Sequence, residues 1–209
     1  MRLWSKAHRL AIWGVLAACL AAVTSPLAPI LLLVPTIQGL QLPVPASAFT
    51  ATLAAVSLAT ALAPHELELT AARQLGVMNA ALGILVLAPS LWGLREPMTA
   101  TGTRTLIGLV ALVLITTAFI KAAYVSIGLA AYLLIACTLR QPHAEDPLQA
   151  DLWAAIIDGT ARTDLWILTL TALVTGLVLQ TISTPRASGQ TAVSAGWTGL
   201  RARRQARGS

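Results

Sequence analysis

Residues 105–138 read TLIGLVALVLITTAFIKAAYVSIGLAAYLLIACT, with a single charge, Lys121, near the middle. As one helix rising ~1.5 Å per residue, the stretch would extend about 50 Å, against ~30 Å of hydrocarbon in a bilayer. The length therefore predicts two crossings joined by a tight turn at Lys121. No Gly or Pro marks that turn, so one long helix is the competing arrangement.

Working outward, four more apolar runs flank this pair, giving six in all: 10–33, 48–64, 74–93, 102–120, 122–139 and 163–183. Backbone amides in lipid must be paired within the segment, and no ten-residue alternation favours a barrel, so each run is expected to be a helix. The fold class expected is all-α: a polytopic integral membrane protein of six transmembrane helices. The 209 residues form one membrane domain, with 184–209 as a basic tail. The second run is short for a crossing, and no stretch outside the runs suffices for a separate soluble core.

Composition supports lipid as the solvent. The chain is 56% hydrophobic and 11% charged, with a mean hydropathy of +0.76, whereas soluble domains carry about 25% charged residues. The net charge of +6 and pI near 10.4 do not mark a nucleic-acid binder, because the basic residues cluster beside the apolar runs. Arg2, Lys6 and Arg9 precede the first run, and Arg186, Arg201, Arg203, Arg204 and Arg207 follow the last. By the positive-inside rule both termini are expected in the cytoplasm, which needs an even number of spans. The segment 140–162, with Glu145, Asp146, Asp151 and Asp158, then falls outside. Arg95 and Arg104 fit that topology badly, since the same count puts their loop outside too. Trp4, Trp13, Trp92 and Trp166 fall near run ends, where indole rings settle among lipid headgroups.

Chemistry-bearing motifs are missing. There is no phosphate-binding Gly-x-x-x-x-Gly-Lys-Ser/Thr loop, no His-Glu-x-x-His and no Gly-x-Ser-x-Gly, so no catalytic or metal-ligating set is assigned and the chain is expected not to be an enzyme. Asp158-Gly159-Thr160-Ala161-Arg162 partly resembles the CDP-alcohol phosphatidyltransferase motif but is one residue short, and no aspartate follows Asp164. No run has Asp, Glu or His at its centre, which disfavours a proton- or sodium-coupled carrier. Cys19 and Cys137 lie in apolar runs and read as small hydrophobes. Leu16-Ala17-Ala18-Cys19 has the look of a lipoprotein cleavage box, but the sequence stays apolar to Val34 where such a signal would turn polar.

Two segments between runs have helical patterns. In Pro64-His65-Glu66-Leu67-Glu68-Leu69-Thr70-Ala71-Ala72-Arg73-Gln74-Leu75, Pro64 suits a first helical turn, Glu66 and Glu68 lie near its positive end and Arg73 near its negative end. Leu67, Ala71 and Leu75 share one face, while Glu66, Thr70 and Arg73 share another. This predicts a short amphipathic helix at the cytoplasmic surface. On the other side, Asp151-Leu152-Trp153-Ala154-Ala155-Ile156-Ile157-Asp158-Gly159 reads as an outer amphipathic helix with Leu152, Ile156 and Ile157 turned to lipid.

Six spans with cytoplasmic ends, an acidic Glu-Leu-Glu-Leu-Thr segment after the second span and a longer outer loop before the sixth resemble the permease subunits of ABC type-2 exporters, particularly small Ala- and Arg-rich actinobacterial ones. The resemblance implies that the segment is a coupling helix docking on a separate ATPase, with Glu66, Leu67, Glu68, Thr70 and Arg73 at the matching positions. The family's Gly before Thr is absent here, as is its Arg before Glu, where His65 stands. The resemblance further implies a bacterial plasma membrane, a second permease chain as partner, a hydrophobic or amphipathic cargo, and ATP and Mg on the partner subunit with no cofactor in this chain. The alternative is a non-transporting accessory or immunity protein that binds another membrane complex. Small residues one turn apart, Gly76 with Ala80 and Gly128 with Ala131, serve helix packing under either reading.

Overall fold

A computed structural model describes residues 2–62, 72–95, 97–139, 157–158, 160 and 162–182. Six α-helices occupy the six apolar runs: α1 (Arg2–Thr24), α2 (Ala46–Ala61), α3 (Ala72–Leu87), α4 (Pro97–Thr117), α5 (Ala122–Leu139) and α6 (Thr163–Ile182). A 3₁₀ segment, Ala88–Arg95, extends α3. The spans Met78–Arg95, Thr99–Thr117, Ala122–Leu139 and Thr163–Ile182 are long and apolar enough to cross a membrane, while the apolar helices Ala11–Thr24 and Ala46–Ala61 are shorter. The chain is thus a helical membrane protein with four helices of crossing length among its described residues.

The stretch 105–138 is two helices. The last turn of α4 tightens, with Ala118 N–H donating to Ile115 O at 3.2 Å and Phe119 N–H to Thr116 O at 3.0 Å. Lys121 then stands just ahead of α5, its carbonyl accepting from Tyr124 N–H at 2.9 Å. Tight i→i+3 bonds thus do the work that Gly or Pro would ordinarily do.

The first run departs from expectation. Rather than continuing to residue 33, the helix stops at Thr24, because Pro26 disfavours helical backbone at Ser25 and Pro29 lacks an N–H. Leu31–Pro35 (β1) and Gln41–Pro45 (β2) form an antiparallel hairpin, so the protein is not purely α-helical. Its turn is closed by Gly39 N–H to Thr36 O at 2.9 Å and Thr36 N–H to Leu40 O at 2.8 Å, with Gly39 at φ 77°. That is a three-residue loop with a glycine bulge, and the positive φ is why Gly stands there.

Contacts between elements fix the helix directions. The end of α1 meets the starts of α2 and α4, since a Cβ on Gly102 would lie within 3.2 Å of Thr24, Ala28 and Ser47. At the opposite end Gln180 of α6 reaches Leu114 and Thr117 of α4 and Asn79 of α3. Consecutive helices therefore alternate in direction. One end, the hairpin face, carries β1, β2, the 3₁₀ segment and the start of α6. The other, the terminal face, carries the beginnings of α1 and α3 and the ends of α2, α4 and α6.

Small residues draw the first two helices together. Ala17 and Ala21 of α1 and Ala51, Ala54, Ala55 and Ala59 of α2 are fully buried, which lets the backbones approach closely. α4 sits at the centre, packed on α2, α3 and α6, with Leu106, Val110, Val113 and Leu114 fully buried. Gly176 of α6 admits α4, its absent Cβ falling 3.0 Å from Leu114. Gly128 differs from the packing role expected of it, because nothing lies within 4 Å of its would-be Cβ.

Candidate functional site: a buried arginine at the hairpin face

Arg104 is the largest fully buried side chain in the described residues. The sequence reading put it in an outer loop, but it lies inside α4, about 10 Å along the axis from Pro97 at 1.5 Å per residue. Its guanidinium donates from Nη1 to Thr160 O at 2.6 Å and from Nη2 to Asp158 O at 2.7 Å. Nη2 also stands 3.6 Å from Asp158 Oδ1, with both side chains essentially inaccessible. That carboxylate oxygen accepts in turn from Thr160 N–H at 2.8 Å and Thr160 Oγ1 at 2.5 Å. The fork of an arginine suits the task, since one planar group satisfies two carbonyls and an anion together.

This arrangement clasps the chain just ahead of α6 to the centre of the bundle. Ile157, expected to dip into lipid, is instead fully buried in the core, and residues 151–156 of the predicted outer helix lie outside the described residues. Beyond the clasp, Arg162 and Asp164 form an exposed ion pair, with Arg162 Nε 3.1 Å from Asp164 Oδ1. Donation to that carboxylate raises the Arg162 pKa above its ordinary value.

A second polar knot lies beside the first. Thr103 Oγ1 donates to Ser90 O at 2.8 Å, and Ser25 Oγ lies 2.7 Å from Thr103 Oγ1 and 3.3 Å from Ser90 O. It ties the end of α1 and the 3₁₀ segment to α4. Gly93 makes this possible, because a Cβ there would fall 2.3 Å from Ser25 Oγ and 2.4 Å from Ser25 Cβ. Gly93→Ala should therefore overpack the site and lower stability by ~1–3 kcal/mol. Gly128→Ala, made into open space, should be neutral or gain up to ~1 kcal/mol from helix propensity. Thermal unfolding of both variants in detergent, followed by tryptophan fluorescence, checks the contrast.

Of the residues singled out in the acidic segment, Glu66, Leu67, Glu68 and Thr70 lie outside the described residues, and only Arg73 falls in a described element, the first turn of α3. What sequence reasoning missed is the Arg104–Asp158 clasp. Its signal was a basic residue at the start of run four facing an acidic one just before run six, two ends that alternating helices place at one face. Arg104 is held by two carbonyls and a carboxylate. Among the described residues no group of three or more His, Cys, Asp or Glu is placed to hold a metal. Its chemistry is that of positioning. Comparison with protein-family models, curated proteins and solved structures finds no match.

Proposed function

We propose that this chain is the membrane subunit of an ATP-driven exporter of the ABC type-2 kind, moving a hydrophobic or amphipathic substrate across the bacterial plasma membrane with energy from a separate ATPase. The observation that carries the reading is a separation of roles between the two ends of the bundle. Leu62 and Ala72, which flank the acidic segment, stand at the terminal face together with the start of α1 and the end of α6, away from the Arg104 clasp. An ATPase gripping Glu66, Leu67, Glu68, Thr70 and Arg73 would meet the connection between α2 and α3, and a push there runs along the small-residue packing of α1 on α2 and of α2 on α4. The cytoplasmic orientation of that face rests on the arginine-rich ends of the chain.

Six helices around an apolar core make half of a pathway in this reading, and a second permease chain supplies the other half. Expression of the tagged full chain with the ATPase encoded beside its gene should yield a stoichiometric membrane complex on affinity purification. Recovery of a stable complex with another membrane protein and no nucleotide-binding subunit would instead establish the accessory or immunity role.

A further inference from the structure

The hairpin of β1 and β2 exposes an unusual amount of apolar surface for a segment between two helices. Leu31, Leu32, Leu33 and Leu40 are all exposed, with Leu33 at 66% and Ile37, in the turn, at 73%. Residues 10–64 contain no Lys, Arg, Asp, Glu or His. Within the hairpin the hydroxyl of Thr36 is spent internally, donating to Leu40 O at 3.1 Å. Leu42 and Val44 are buried against the bundle, so β2 fixes one side while the leucines of β1 face away.

The backbone carries the decisive detail. Thr36 N–H bonds to Leu40 O and Ala46 N–H to Ile30 O, so by antiparallel alternation 34 with 42 and 32 with 44 are the hydrogen-bonded pairs. The pairs 31 with 45, 33 with 43 and 35 with 41 then direct their N–H groups away from the hairpin. Pro35, Pro43 and Pro45 occupy three of those six outward positions and have no N–H. On the β2 edge only Gln41 keeps an outward donor. The β2 edge thus offers a single donor to another strand, while the β1 edge keeps the N–H groups of Leu31 and Leu33 beside Pro35.

Depth is set by neighbours. Ile37 N–H donates to Thr138 O at 3.0 Å, in the last turn of α5, so the turn of the hairpin lies level with the end of a crossing helix. At the same face Trp92 is 70% exposed, with the Arg95 guanidinium stacked 3.5 Å from its ring centroid, a pairing suited to the headgroup layer. We propose that the hairpin is a membrane-interface anchor, lying flat at the boundary of headgroups and acyl chains with Leu31, Leu33, Ile37 and Leu40 in the lipid. The occupant of its apolar face is the bilayer itself, because the hairpin turn is bonded to the last turn of α5, a helix of crossing length whose Leu134, Ile135 and Leu139 are exposed beside it.

The test uses the full chain with Cys19→Ser and Cys137→Ala, carrying either L33C or I37C, each labelled with an environment-sensitive fluorophore. The protein is placed in nanodiscs of phosphatidylcholine and phosphatidylglycerol, with and without lipid spin-labelled at acyl carbon 5. Both probes should be quenched at least twofold by the spin-labelled lipid and much less by aqueous iodide than the free dye is. Iodide quenching equal to that of the free dye would overturn the proposal. So would protection from both quenchers, and disulfide cross-linking between copies at L33C would then identify a second chain as the cover. Both side chains are mostly exposed, and size-exclusion profiles verify folding. If one variant fails that check, the other carries the same readout.

Discussion

Arg104→Ala is expected to be the most damaging single substitution at the hairpin face. It strands the Asp158 carboxylate and two backbone carbonyls in a dry interior, and removing one partner of a buried ion pair costs ~3–5 kcal/mol. Asp158→Ala should be nearly as severe, since it leaves a buried guanidinium and takes the acceptor from Thr160. The double substitution Arg104→Met with Asp158→Leu should recover part of the loss, because apolar groups do without the desolvation penalty of both ions but leave the carbonyls of 158 and 160 without their donor. Thermal unfolding of the four proteins in detergent closes the cycle. A loss for Arg104→Ala no larger than that of an exposed-site substitution would show that the clasp does not hold the bundle. Recovery of stability in the double variant without recovery of transport would separate specificity of arrangement from strength.

The second large effect concerns the acidic segment. If the chain couples to an ATPase as proposed, changing Glu66 and Glu68 both to Ala should lower the affinity between the two about tenfold or more, equal to ~1.4 kcal/mol. Substrate-stimulated ATP hydrolysis by the purified complex should fall with it. The loss should shrink as ionic strength rises, because charge pairs at an accessible interface are already screened there. The isosteric pair Glu66→Gln with Glu68→Gln should behave like the alanine pair if charge matters, and like the parent if shape alone does. Full stimulation in the alanine pair would remove the coupling role from this segment.

How far the fold could be read varies with the length and flanks of each run. α5 occupies 122–139, the boundaries expected, and α6 ends at Ile182, one residue short of them, because charges or polar residues border both runs. The turn at Lys121 was legible only through length, since its i→i+3 bonds leave no compositional trace. The hairpin was hidden for a different reason. Leu31–Val34 continue the apolar run of α1 without a charged residue, and a strand facing lipid has the composition of a helix facing lipid. The available signs were Pro26 and Pro29 as breakers, the alternate prolines of 41–45 and Gly39. Arg104 was misplaced because the run boundary was drawn by hydropathy, which counts an arginine as a flank even when a carboxylate distant in sequence accompanies it inside. Within the acidic segment, amphipathic spacing predicts a helix over residues that lie mostly outside the described ones, and no spacing states what docks on it.

The enclosure of α4 has one more consequence. Two-thirds of its crossing segment is covered by protein, against about one-sixth for α6, and among its described side chains Leu112 is the one large apolar group left exposed. A helix so wrapped has almost no annular lipid of its own. Changes in bilayer thickness or lateral tension act first on α5 and α6 and arrive at α4 only as shifts of those neighbours. The clasp at Arg104 is in this sense insulated from the mechanical state of the membrane, while the hairpin a short distance away is the part of the same face most open to it.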